Sequence, residues 1–403
     1  MLYLTQWFEP EPVMKGVGFV KGLIGEGFDV EVCTGFPNYP AGRLYPGYEL
    51  GLFQRETMNG VRVDRIPLYP SHDASSAKRA LNYLSFFASA LVYGLIRARR
   101  FDVVYVYHPP ITVGLAAALF GRVTRTPYVL DVQDLWPDSV AVSGMSNTGG
   151  LARVLGPLCA FVYRRARRVI AQTAGMAERL IERGVAADRI ATIYNWADED
   201  ALSANPGKSL DRYGFEGRFN LVYAGNFGAA QGLDTLIGAA HEAARRDPRI
   251  RLHLIGDGMD APRLRALCES LGGDAVRIHP PEAKNEIATV LSAAQVLVAH
   301  LNRDPLFALT MPSKIQFYLA LGKPLLVAIE GESAAVVEAS GAGVTAIPQD
   351  VTSVADAMVK LAALPADDLQ SLGERSAALY AERFSFASAM RATAVAIDSA
   401  LAA

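Results

Sequence analysis

Val103-Val104-Tyr105-Val106-Tyr107 and Leu325-Leu326-Val327-Ala328-Ile329 are two five-residue runs with no polar alternation. A strand with one face in water alternates polar and apolar residues, whereas a strand covered on both faces does not. Each run therefore reads as a strand buried inside a parallel sheet. Outward from them the pattern recurs: β-rich runs at 2–8, 29–35, 61–69, 102–107, 127–133, 168–173 and 190–194, then at 219–225, 251–255, 276–279, 296–301, 324–329 and 343–347, are separated by helix-length segments. Two such series predict two Rossmann-like, doubly wound α/β domains.

The first series closes at Tyr194-Asn195-Trp196, and the polar stretch Ala197 to Gly217, rich in Asp, Ser, Pro and Gly, reads as a linker. The expected domains are 1–195 and 196–385, followed by an alanine-rich helix at 386–403 whose packing partner periodicity does not identify. A chain of 403 residues suits two such cores. Apolar content of 51% and charged content of 20% describe a globular, water-facing chain. Cys33, Cys159 and Cys268 are far apart and lack metal-ligand spacing, so reduced thiols in a cytoplasmic protein are expected. The chain runs directly into Leu2-Tyr3-Leu4-Thr5, without the basic and apolar regions of a signal peptide.

Net charge is −2, but residues 1–195 carry +5 and residues 196–403 carry −7. A basic first half suits phosphates or an anionic membrane; drift in surface charge explains the asymmetry equally well.

Ligands in open α/β sheets bind beyond the carboxyl ends of the strands, so residues just after strands are the candidates. After the first strand come Lys15 and Gly16, where backbone can approach an anion at a helix start and the lysine adds charge. Gly16-x-Gly18 is followed by Lys21 at the third glycine position, so it is not a dinucleotide fingerprint, and a plain strand-to-helix turn is an equal reading. Strand 127–133 leads into Gln133, Asp134 and Asp138. A carboxylate at the end of an apolar strand is costly unless it is paired or faces a cleft; Asp138 also reads as a helix cap. In the second series, Gly225-Asn226 and Gly256-Asp257-Gly258 each follow a strand, which suits phosphate binding through backbone amides, tight turns being the alternative. Pro312-Ser313-Lys314 reads as a helix start, where a cation opposes the helix dipole unless an anion is present. Glu332 opens a further helix, where an acid is stabilising in itself.

Residues 78–100 place Lys78, Arg79, Arg97, Arg99 and Arg100 around an apolar, aromatic stretch of marginal spanning length. A helix lying in a membrane interface and a core helix of the first domain both fit.

Taken in order, these motifs resemble glycosyltransferase family four. The resemblance rests on Pro10-Glu11-Pro12 with Lys15-Gly16; Thr34-Gly35-Phe36-Pro37-Asn38-Tyr39-Pro40-Ala41-Gly42 with Tyr45-Pro46-Gly47-Tyr48; Asp134-Leu135-Trp136-Pro137-Asp138-Ser139; Tyr223-Ala224-Gly225-Asn226 with Gln231-Gly232-Leu233-Asp234; Gly256-Asp257-Gly258; and Pro312-Ser313-Lys314 with Gly322-Lys323-Pro324. It covers nearly the whole chain and is strongest to bacterial surface-polysaccharide enzymes that transfer N-acetyl-L-fucosamine.

The resemblance implies a GT-B fold, with two Rossmann-like domains facing a cleft, and retention of anomeric configuration. It further implies a nucleoside-diphosphate donor, taken here as UDP-linked, on the second domain, an acceptor on the first, and no cofactor or metal. The last helix is expected to cross back to the first domain. Other expected partners are a glycan or polyprenyl-linked acceptor and the inner face of the plasma membrane, with no nucleic acid.

Lys314, Ser313, Lys15, Gly16, Gly225, Asn226, Gly256, Asp257 and Gly258 are expected around the donor, with Gln133, Asp134 and Asp138 on the acceptor side and Asp134 and Lys314 catalytic. Family members often carry an arginine and a lysine where Asn226 and Gln231 stand, and two glutamates where Leu309 and Phe317 stand. Glu332 is the candidate substitute for ribose binding. A catalytically silent assembly subunit and a sugar-nucleotide epimerase are the competing readings.

Overall fold

The structure is a computed structural model, and it describes residues 1–71, 75–136, 149–203 and 209–402. The chain divides into two compact units: Met1–Ile193 with Met390–Ala403, and Tyr194–Ala389.

The first unit holds an eight-stranded sheet: β1 (Leu2–Leu4), β2 (Glu31–Gly35), β3 (Gln54–Met58), β4 (Val61–Ile66), β5 (Val104–His108), β6 (Tyr128–Val132), β7 (Arg168–Ala171) and β8 (Ile190–Thr192). Their order is β3-β4-β2-β1-β5-β6-β7-β8. All neighbours are parallel except β3, which runs antiparallel to β4. The second unit holds β9 (Phe219–Ala224), β10 (Ile250–Ile255), β11 (Val276–His279), β12 (Val296–His300), β13 (Leu325–Ala328) and β14 (Gly343–Thr345), ordered β11-β10-β9-β12-β13-β14 and parallel throughout. The two runs that open the sequence reading are β5 and β13, with every residue buried.

β3 has no counterpart among the expected strands. Its polar sequence, Gln54-Arg55-Glu56-Thr57-Met58, lacks an apolar run. Asn59 and Gly60, both with positive φ (50° and 87°), form its turn to β4. Asn-Gly is a strong hairpin signal in sequence.

The unit boundaries differ from the expected ones by a few residues, for local reasons. The Tyr194 ring packs on Phe384 at 4.6 Å, which places it in the second unit. The last helix, Phe386–Ala402, begins in that unit, where its Phe386 amide donates to Glu199 at 2.9 Å, and belongs to the first unit from Met390 onward. The expected linker is partly packed as well: Tyr213 is fully buried and its hydroxyl donates to Glu282.

The helix Ser76–Arg97 packs on the first unit's core and leaves part of its apolar surface exposed. Phe86, Ala90 and Tyr93 pack into the first unit's core, while Leu81, Leu84, Val92, Leu95 and Ile96 are exposed along one side of the helix.

Each sheet has one point where successive connections turn to opposite sides. β1 lies between β2 and β5, and β9 lies between β10 and β12. The carboxyl ends of β1 and β9 are therefore where each sheet can receive a ligand.

Candidate functional site

At the carboxyl end of β9 the chain passes Gly225 (φ 147°), and at the end of β10 it passes Gly256 (φ 152°), backbone conformations that only glycine adopts readily. The two turns lock together. Gly225 N donates to the Ile255 carbonyl at 3.0 Å, and Phe227 N donates to the Asp257 carbonyl at 2.8 Å. A Cβ on Gly256 would lie 1.9 Å from the Gly225 oxygen, and one on Gly258 would lie 2.4 Å from the Phe227 oxygen. Tyr318 braces the end of β9, its hydroxyl accepting from Ala224 N at 2.9 Å and donating to Ala224 O at 3.2 Å. His300 holds the following loop. Its Nε2 accepts from Gln349 N at 3.2 Å, so Nδ1 carries the proton and donates to the Gln231 carbonyl at 2.7 Å.

These turns form one side of a cavity of about 900 Å³ lying within the second unit. Gly225, Asn226, Gln231, Gly256 and Asp257 line it, together with Pro312, Ser313 and Lys314 from the start of the helix Ser313–Ala320. Trp196, Ile255, Ile287, Leu291 and Phe317 supply apolar wall. Of the four positions that differ from the usual family pattern, Asn226, Gln231 and Phe317 line this space and Leu309 does not.

Lys314 is the charge in the cavity that lacks a counterion. Its ammonium sits 3.7 Å from the centroid of the Tyr223 ring, and a Cβ on Gly225 would lie 3.2 Å from its Nζ. No carboxylate among the described residues pairs with it, and burial lowers its pKa to about 7. No side chain caps the helix that carries it, so first-turn amides and an under-solvated cation meet at one place. An anion with several oxygens satisfies both.

The expected residues of the first unit have different surroundings. Lys15 is buried, its ammonium paired with the buried Asp131 carboxylate. Tyr105 donates to Asp131 at 2.5 Å and Gln133 at 2.6 Å. Lys15 and Gln133 therefore balance an internal carboxylate, which corrects the expectation that Lys15 neutralises a bound diphosphate. The close approach permitted by Gly16 is likewise taken up internally. The Glu9 carboxylate accepts from Val17 N at 2.8 Å at the start of the helix Val17–Gly25, and a Cβ on Gly16 would lie 2.2 Å from it.

Asp134 is exposed just beyond β6, and desolvation by the protein around it raises its pKa. Asp138 lies outside the described residues. Glu332 accepts from the Tyr194 hydroxyl and is not among the residues lining the cavity, so the substitution proposed for it in ribose binding does not match its position.

The structure also brings forward residues that the sequence reading did not single out. His108, at the carboxyl end of β5 beside the first sheet's switch point, is fully buried, neither ring nitrogen has a hydrogen-bond partner among the described residues, and burial lowers its pKa to about 3. The Gln6 Oε1, just after β1, is also buried and has no hydrogen-bond partner among the described residues. A half-buried aromatic series runs past them: Tyr39 to Trp7 (4.9 Å), Trp7 to Tyr83 (6.4 Å), Tyr83 to Trp136 (6.3 Å) and Trp136 to His108 (6.3 Å). The sequence signal for His108 is a titratable residue closing the apolar run of β5.

Residues 18–196 match the family described as glycosyl transferase 4-like domain, and residues 218–363 match glycosyl transferases group 1. The chain is a glycosyltransferase. A colanic acid biosynthesis glycosyl transferase by name, WcaI of Escherichia coli (strain K12), is 26% identical over 351 residues, covering 82% of this glycosyltransferase and 84% of WcaI. WbjE of Pseudomonas aeruginosa, named as a glycosyltransferase, is 26% identical over 285 residues, covering 69% of each chain. The fold is GT-B: the glycosyltransferase superposes on HepE of Anabaena, solved in complex with UDP, with a TM-score of 0.67 over 99% of both chains at 16% identity.

Proposed function

We propose that this glycosyltransferase moves an N-acetylated hexosamine or deoxyhexosamine from a UDP-linked donor, with retention of configuration and without a metal. The acceptor is a glycan or polyprenyl-linked sugar of a surface polysaccharide, at the inner face of the plasma membrane. The observation that carries the reading is the uncompensated Lys314 ammonium beside the uncapped start of the helix Ser313–Ala320, in a cavity large enough for a nucleotide. Cleavage of the donor builds negative charge on the departing diphosphate. An ammonium and backbone amides fixed beside that charge stabilise the transition state more than the ground state.

The apolar wall formed by Ile255, Ile287, Leu291 and Phe317 suits a nucleobase. Asp134, with its raised pKa, positions or deprotonates the acceptor hydroxyl. The names of WcaI and the HepE–UDP complex support the polysaccharide role and the uridine donor. The exposed stripe Leu81, Leu84, Val92, Leu95 and Ile96 supports contact with lipid.

A thermal-shift screen across UDP-, GDP-, ADP- and dTDP-sugars tests the donor. A ligand held by the native state raises its melting temperature. Stabilisation by UDP-N-acetylhexosamines above the rest is expected, and a preference for another base refutes the uridine assignment.

A further inference from the structure

At the amino edge of the first sheet, a cavity of about 610 Å³ within the first unit is lined by Arg122, Arg125, Arg165 and Arg167, with no carboxylate among its lining residues. Arg122 and Arg125 come from the end of the helix Ile111–Thr124, Arg165 from the end of the helix Gly149–Arg165, and Arg167 from the turn into β7. None of the four is ion-paired among the described residues. The Arg165 guanidinium lies 6.0 Å from the Phe161 ring centroid.

Two ordinary explanations fall short. Basic residues do favour helix carboxyl ends, but each end carries only about half a negative charge, so two helices offset about one arginine of the four. Nor does local stability account for Arg125. It closes its helix in the left-handed conformation, φ 62° and ψ 24°, a position that glycine or asparagine usually fills and that disfavours a residue with a Cβ. An arginine here places a guanidinium at the cavity against backbone preference.

We propose that this cavity binds a phosphate-bearing anion through its four exposed arginines, and that Arg125 is retained for that contact. Planar guanidinium groups match phosphate oxygens two at a time. The anion is a free pyrophosphate-like group or a phospholipid headgroup, which share this chemistry. The inference does not rest on the donor reading, since every residue involved belongs to the first unit.

The test uses the full chain with the second unit's cavity disabled by Lys314→Ala, titrated calorimetrically with inorganic pyrophosphate. In parallel, it is sedimented with phosphatidylglycerol vesicles and with phosphatidylcholine vesicles. Arg125→Gly and Arg165→Ala are each introduced into this background. The expected result is a loss of about tenfold or more in affinity in both variants, with Arg125→Gly melting no lower than its parent. Loss in the pyrophosphate arm supports a free anion, and loss confined to phosphatidylglycerol supports a headgroup. Arginine variants that bind both probes as their parent does, or a parent that binds neither, overturn the proposal.

Discussion

The carbonyl oxygen of Gly225 occupies the space in which a side chain at Gly256 would begin, 1.9 Å from the position of its Cβ. The two turns beside the second unit's cavity can therefore approach this closely only with glycine at position 256. Gly256→Ala is expected to destabilise the protein by about 2–5 kcal/mol, from left-handed strain plus overpacking, and to abolish the thermal shift given by UDP. Gly272→Ala is the control, because that residue also has positive φ (65°) but nothing within 4 Å. It should cost about 1–2 kcal/mol and leave the shift intact. Urea unfolding of both variants separates the contact from the strain; equal losses would refute it.

Lys314 gives the proposed donor site a pH dependence of fixed sign. Its pKa is about 7 in the folded chain against an ordinary 10.5, so below pH 7 it is charged in a place that disfavours charge. Between those values the unfolded chain holds a proton that the folded chain has released, and stability rises with pH. Lys314→Met should raise the stability of the ligand-free protein at pH 6 by about 1–3 kcal/mol and flatten that rise. UDP, by holding the ammonium charged, should draw in a proton above pH 7. Its affinity should then fall by up to about tenfold per pH unit. Calorimetry in buffers of different ionisation enthalpy reads the proton uptake directly. With the correct donor, Lys314→Ala should lower turnover by about tenfold or more.

The Lys15–Asp131 pair should behave as a structural unit. Both side chains are essentially inaccessible. Lys15→Met leaves a buried carboxylate with the Tyr105 and Gln133 donors but no cation among the described residues, at an expected cost of about 3–5 kcal/mol. Lys15→Met with Asp131→Asn should be less destabilised than the sum of the two single variants. An additive double-mutant cycle in urea unfolding would show that the pair has no mutual dependence.

Asp134 should set the acidic limb of the activity profile. A base must be deprotonated to work, so kcat/KM should fall as pH drops through a pKa above the usual carboxylate range. Asp134→Asn should remove that limb and lower kcat by about 10²–10⁴-fold. A profile unchanged by the substitution would assign the limb to another group.

Much of this architecture is written in local residue patterns. Unbroken apolar runs such as that of β5 mark buried parallel strands because both faces are covered, and glycine after β9 and β10 marks backbone that must approach closely. Lys314 was legible because a cation in a first helical turn conflicts with the dipole. What local patterns do not carry is pairing across the sequence. Lys15 reads as an anion ligand because Asp131, which pairs with it, is identified only once the strands lie side by side, and Gly16 does so because the loop conformation that brings Glu9 back onto the helix start leaves no mark in the local pattern. Glu332 reads as open to a ligand until Tyr194 is brought against it. His108 carries no local signal of a site, because its lack of hydrogen-bond partners among the described residues is a property of the packed fold.

The borders of the two sheets carry a separate consequence. β8 and β14 are three residues long, β11 is four, and β3 is studded with charge, Arg55 bonding to Asp64 at 2.7 Å and 2.9 Å and Glu56 pairing with Arg65. A second polypeptide seeking to extend either sheet finds a short or ionic margin at every edge strand. Two sheets rich in Val, Ile and Leu are thereby guarded against fibrillar growth, the hazard that continuous apolar strands otherwise create in a crowded cell.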